Sequence, residues 1–247
     1  MHVGRWDVAA PSYEPGAWLR GTIYPQRCDV SPDGRWFAYF AFKASARWEL
    51  GSTYIAISEL PWLTPIVAWA TYGTWTRGIH FVEDPSVWDV SAPDQGDARA
   101  IRDRFGLRMS PAHAFAVERR RSWVETAETP PRSPQDAWDE QRGDRIEMEK
   151  LSSGGDGVVL TVRGRYAGRR ELHSVDAEVR YGLAQAGDPR DLDGVQWADW
   201  DDHGRLLVAT DDGKLQIRGS DAASLEWEAD EAAFTPDPRA ASSDLED

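Results

Sequence analysis

The chain has 247 residues, 41% of them hydrophobic and 28% charged, with a formal net charge of −14. That length can bury a sizeable core, and the composition is globular. The negative charge disfavours binding along a phosphate backbone, and a lone cysteine, Cys28, excludes an intrachain disulfide.

One cysteine fits a reducing compartment. The segment Met1 to Asp7 lacks the apolar core of a signal peptide. The longest apolar run, Pro61 to Ala70, is interrupted by Thr64 and Pro65 and is too short to span a bilayer. The expectation is a cytoplasmic protein with no membrane contact. Tryptophan is abundant, with 13 residues spread from Trp6 to Trp227. Spread tryptophans suit repeated β layers whose cores they fill; the alternative is exposed rings that stack on sugars or bases.

In chain order, residues 1–17, with Pro11, Pro15 and Gly16, read as an irregular lead-in. Trp18 to Tyr24 reads as a strand ended by Pro25. Arg27 to Phe42 then spells out a strand, a tight turn and a second strand. Pro32 presets φ for the turn, Gly34 accepts φ > 0, and the aromatic run from Trp36 suits a pleated surface. Strands follow at Ser52 to Ser58, Leu63 to Thr71 and Ile79 to Val82, with Ser86 to Val90 as a partner for the last. Residues 91–143 form an excursion. Asp97 to Phe105 has helical composition, Phe115 to Val124 fits strand or helix, and Thr126 to Gly143 carries Pro130, Pro131 and Pro134 among charges. Strands resume at Arg145 to Leu151 and Val158 to Val162, around the turn Ser152 to Gly157. Glu171 to Leu183 alternates at period 2. Trp197 to Arg218 holds three short strands and two turns, and Leu225 to Trp227 adds a last one. Residues 229–247 have the acidic, proline-containing composition of a flexible tail.

About a dozen short strands separated by turn residues predict an all-β fold. Ser31-Pro32-Asp33-Gly34-Arg35-Trp36-Phe37-Ala38-Tyr39 resembles the hairpin of TolB-like and WD40-like β-propeller blades. Asp201-Asp202-His203-Gly204-Arg205-Leu206-Leu207-Val208-Ala209 resembles the same hairpin, with His203 in place of an acidic or amide residue and no proline. The resemblance implies a β-propeller-like domain over residues 1–228 and a tail over 229–247. It names a scaffold and no activity.

No chemistry-bearing motif stands out. His2, His80, His113, His173 and His203 are not at metal-ligand spacing. Asp199, Asp201, Asp202, Asp211 and Asp212 miss a calcium-loop pattern and read as turn aspartates. Gly154 to Gly157 leads into a strand and cradles no phosphate. The expectation is therefore no catalytic residue, no cofactor and no metal. Basic patches beside aromatics are the candidate partner-binding residues: Trp75 with Arg77; Arg119, Arg120 and Arg121 with Trp123; and Arg165, Arg169 and Arg170 with Tyr166. The sequence thus points to a non-enzymatic protein-binding or scaffold module, one component of a multi-protein system, with a protein partner and no nucleic acid. One alternative is a glycosidase-like hydrolase with carboxylates at a propeller mouth. A second is an immunity or assembly factor that uses its acidic surface.

Overall fold

The computed structural model describes residues 1–43, 50–71, 73, 79–81, 109–111, 116–128, 145–165 and 179–235. The described chain is all-β, with several antiparallel sheets and one helical turn-and-a-half, α1 (Ala116–Arg120). Among the described residues no helix is long and apolar enough to cross a membrane.

The chain opens on a hairpin, β1 (His2–Asp7) with β2 (Ser12–Trp18). The irregular lead-in expected over 1–17 is corrected here: Pro15 sits in β2, opposite Gly4, in a two-stranded unit that needs no further ladder bond from it. The strand expected over Trp18 to Tyr24 is also shorter, since Trp18 ends β2 and only β3 (Thr22–Ile23) follows. A 3₁₀ turn, η1 (Pro25–Arg27), leads to β4 (Asp29–Val30), and then come β5 (Trp36–Phe42), β6 (Thr53–Glu59) and β7 (Pro65–Ala70). These pair in the order β3-β5-β6-β7, with β4 also on β5. β5 and β6 are apolar at nearly every position because both faces are covered. Trp36, Ala38, Phe40, Ile55 and Ile57 pack with Trp69, Ile79 and Phe81 on one side. Tyr39, Ala41, Tyr54 and Ala56 pack with Ile23 and Cys28 on the other.

β8 (Ile79–Phe81) pairs with β9 (Met109–Pro111); the partner expected at Ser86 to Val90 lies outside the described residues. Next come α1 and a five-stranded meander: β10 (Val124–Glu128), β11 (Arg145–Leu151), β12 (Val159–Arg165), β13 (Arg180–Gln185) and β14 (Asp188–Asp191). The described parts of the 91–143 excursion are therefore ordered elements, and β10 belongs to a sheet. A four-stranded meander closes the chain: β15 (Val195–Trp200), β16 (Leu206–Thr210), β17 (Lys214–Arg218) and β18 (Leu225–Asp230), followed by η2 (Glu231–Ala233). Of the flexible tail expected over 229–247, the first residues are ordered, since β18 runs to Asp230 and Asp230 caps η2 through Ala232 N–H at 2.9 Å; residues 236–247 lie outside the described residues.

The two meanders share one core, built from Trp123, Met148, Leu160, Val162, Tyr181 and Leu183 on the first and Ala198, Trp200, Leu206 and Val208 on the second. The opening hairpin touches both the first sheet and the last. Ala17 N–H donates to Pro61 O at 3.1 Å, while Trp6 stacks on Trp227 at 5.8 Å and Arg205 Nη2 donates to Val8 O at 2.6 Å.

The two turn glycines make a direct test of this packing. Gly34 (φ 71°) has open space where a Cβ would stand, whereas at Gly204 (φ 76°) a Cβ would lie 2.6 Å from Gly154 N on the neighbouring meander. Gly34→Ala is expected to cost about 1–2 kcal/mol from backbone strain alone. Gly204→Ala is expected to cost roughly 2–5 kcal/mol, because the two meanders must also part. Urea midpoints of the two variants measure the difference, and equal losses would refute the close approach.

Candidate functional site

Two aspartates stand at matching positions in the first strands of the two similar hairpins. Asp29 and Asp199 each stand five residues before the turn glycine, Gly34 or Gly204. Each is buried, and each folds its Oδ1 back onto the next N–H: Val30 at 2.9 Å and Trp200 at 2.9 Å. A carboxylate out of water must be neutralised and fully hydrogen-bonded. Asp29 Oδ2 accepts from Phe81 N–H at 2.9 Å and from the Arg120 guanidinium. Asp199 Oδ1 accepts from Lys150 Nζ at 2.6 Å, and Arg121 Nη1 lies 3.8 Å from its Oδ2. The end of α1 thus serves both hairpins, with Arg120 on the first and Arg121 beside the second.

The turns themselves reach one geometry by two routes. In the first, the Ser31 hydroxyl donates to Asp33, Ser31 Oγ accepts Trp36 N–H at 2.8 Å, and Asp33 Oδ1 accepts Arg35 N–H at 3.1 Å. In the second, Asp201 stands where Ser31 does. Its Oδ1 accepts His203 N–H at 2.9 Å and Arg205 N–H at 2.8 Å, and its Oδ2 takes Arg205 Nε at 2.7 Å. One aspartate does the work of the serine–aspartate pair, which explains how His203 is tolerated. Among the described residues no group of three histidine, cysteine or carboxylate side chains is placed to hold a metal ion.

A cavity of about 590 Å³ lies where these elements converge. β1 supplies Val3 to it, β4 Asp29 and Val30, β8 His80, α1 Val117 and Glu118, β13 Tyr181 and β15 Trp197. Arg121, just past α1, also lines it. Apolar area dominates its walls, and polar side chains such as His80, Glu118, Arg121 and Gln196 also line it. Burial pushes the Tyr181 phenol well above its ordinary range, and the Glu118 and Asp199 charges push it the same way. Cys28, also on the cavity, has its thiol pushed up to about 12, chiefly by burial and also by the Asp29 charge. A Phe40 hydrogen bond and the Arg27 charge oppose that shift. The thiol donates to Tyr24 O at 3.1 Å.

Of the residues expected to bind a partner, the structure brings Arg120, Arg121 and Trp123 together near this cavity. Trp123 is buried and meets Tyr181 edge-on at 6.3 Å. Arg119 belongs to α1 and Arg165 ends β12, but their side chains lie outside the description. Trp75, Arg77, Tyr166, Arg169 and Arg170 lie outside the described residues. Sequence reasoning passed over Asp29, Lys150 and Tyr181, and read Asp199 only as a turn aspartate. The equal offset of Asp29 and Asp199 from their turn glycines is the signal that could have found the pair. Comparison with family models, with curated proteins and with solved structures gives no match to this chain.

Two predictions test the interior. Asp199→Ala leaves Lys150, 16% exposed, without its anion. The expected loss is about 3–5 kcal/mol by urea denaturation, and the Lys150→Met/Asp199→Leu double variant should lose less than the summed singles. Additive losses would mean that the pair is not coupled. For Cys28, the folded value lies above the ordinary 9.0. Its burial therefore supports the fold fully below pH 9.0, and that support fades as pH climbs toward 12. Iodoacetamide at about pH 8 should leave the native thiol unlabelled and modify it only after denaturant is added. Full labelling of the native protein would place Cys28 at the surface.

Proposed function

We propose that the chain is a non-enzymatic, propeller-like scaffold that works in the cytoplasm as one component of a multi-protein system and binds a protein partner. The observation that carries this reading is how the buried charges are used. Asp29 is taken up by Phe81 N–H of β8 and by Arg120 of α1, and Asp199 by Lys150 of the neighbouring meander, so both carboxylates tie separate elements together. A hydrolase asks for two facing carboxylates of which one is free to give or take a proton. The arrangement here favours support over proton transfer. The order of contacts around the molecule supports a propeller-like closure: opening hairpin to first sheet, first sheet to β8, meander to meander, last meander back to the hairpin. Repeated antiparallel units offer partner-binding faces and loops without a catalytic group. The lone, buried Cys28 supports a reducing compartment.

The test is affinity purification of the tagged chain from its native host, in full length and lacking residues 236–247. The expected result is one partner at near-stoichiometric yield that survives washing at high salt. Loss of that partner with the tail removed would favour the acidic-surface alternative. Absence of any stoichiometric partner in both arms would overturn the scaffold reading.

A further inference from the structure

Strand β15 breaks its own alternation beside the central cavity. Val195 and Ala198 both pack in the core shared by the two meanders, although they stand three residues apart. Side chains of a regular strand change face at every residue, so an odd separation cannot keep one face. The register accounts for it. Val195 pairs with Thr210 and Trp197 pairs with Ala209, which leaves Gln196 as the extra residue of a β-bulge. The consecutive residues Gln196 and Trp197 are thereby turned to the same side. Both line the cavity, as does Ala209 opposite them. Bulges re-aim side chains in this way and recur next to active sites.

The pair suits a defined kind of ligand. Gln196 is exposed, and its amide makes no hydrogen bond among the described residues. That amide carries a carbonyl acceptor and an NH2 donor side by side. A primary carboxamide or a lactam shows the same two groups in the complementary order, so two hydrogen bonds can form at once. Cys28 and Asp29 line the same cavity but are engaged within the fold, the thiol with Tyr24 O and the carboxylate with Phe81 N–H and the Arg120 guanidinium. Trp197 is half-buried and supplies an indole next to the Gln196 fork. An indole favours a flat ring, stacked with an offset or met edge-on. Ala209 is small, so the partner strand does not fill the space in front of the bulge. About 590 Å³ is the volume of a small-molecule site. We propose that the cavity binds a small planar ring bearing a primary carboxamide or a lactam, with the amide on Gln196 and the ring against Trp197. This ligand site goes beyond the scaffold reading and does not depend on it.

Ligand-observed NMR titration of the full chain with benzamide, N,N-dimethylbenzamide, cyclohexanecarboxamide and benzoate tests the assignment. Benzamide should bind about 5-fold or more tightly than N,N-dimethylbenzamide, whose nitrogen carries no donor, as neutral hydrogen bonds allow. It should also bind more tightly than cyclohexanecarboxamide, whose puckered ring cannot lie flat, and than benzoate, which has no N–H for the Gln196 carbonyl. Gln196→Met should remove the preference for benzamide over its dimethyl form. The urea midpoint should stay unchanged, since position 196 is exposed. Trp197→Leu should remove the preference for the flat ring over the puckered one, and Trp197→Phe, which keeps a flat ring, should retain it. Equal binding of benzamide and its dimethyl form, a preference that survives Gln196→Met, or no binding of benzamide at about 10 mM would overturn the proposal. Tighter binding of benzoate than of benzamide would reassign the site to anions and also overturn it.

Discussion

The arrangement depends on two buried carboxylates that must not be left alone. Removing a charge from water costs several kcal/mol, and the cost is offset only when a cation and further donors complete the site. Asp29 and Asp199 stand at the first residue of β4 and near the end of β15, and each already engages the next backbone N–H. What remains is to neutralise each charge, by Arg120 at Asp29 and by Lys150, with Arg121 3.8 Å away, at Asp199. α1 and β11 supply these cations from elsewhere in the chain. A five-residue helix has little stability of its own. α1 is held because Arg120 is fixed by Asp29, and because Trp123, whose N–H bonds back to Glu118 O at 3.1 Å, is anchored in the shared core. Consecutive residues on a helix diverge by about 100°. Adjacent arginines at its end therefore suit two different sheets better than one surface patch.

The same constraint accounts for the apparent degeneracy of the second hairpin. What the backbone needs at that turn is an acceptor for the N–H groups that point inward. Ser31 with Asp33 provides it once, and Asp201 alone provides it again. Asp201 also fixes Arg205, which reaches Val8 O and so ties the opening hairpin to the last sheet. The close approach of Gly204 to Gly154 belongs to that junction, since a side chain there would meet the backbone of the neighbouring meander. Two turns with the same outline thus carry different long-range duties.

Much of the strand order was legible because it is written locally. Trp36–Phe42, Thr53–Glu59 and Val195–Arg218 carry their own apolar runs and turn residues, and these strands form where the residues call for them. Prolines misled the reading elsewhere. Pro15 in β2 suggested an irregular segment, and β14, with Pro189, was not anticipated. Both are strands at the edge of their pairing, where a missing N–H leaves no ladder bond unmade. The site was not legible, because its contacts bridge 91 residues between Asp29 and Arg120 and 49 between Lys150 and Asp199. Composition near Arg119 to Arg121 suggested an exposed basic patch. No local pattern announces that one of those arginines faces an aspartate 91 residues earlier in the chain.

The tryptophan content follows from sheets covered on two sides. β5 alternates Trp36, Ala38 and Phe40 toward one core and Tyr39 and Ala41 toward the other, so large rings and small residues interleave on both faces. Arg27, itself buried, is held at 4.8 Å from the Tyr24 ring and 4.9 Å from that of Phe40. Arg27 is thus placed over rings, whereas Arg120 and Lys150 are placed against buried carboxylates. At Asp199 the two oxygens are served differently: Oδ1 takes Lys150 Nζ and Trp200 N–H, while Oδ2 faces Arg121 Nη1 at 3.8 Å. Arg121 thus contributes to Asp199 by charge alone, since a charge-assisted hydrogen bond needs a closer approach than 3.8 Å.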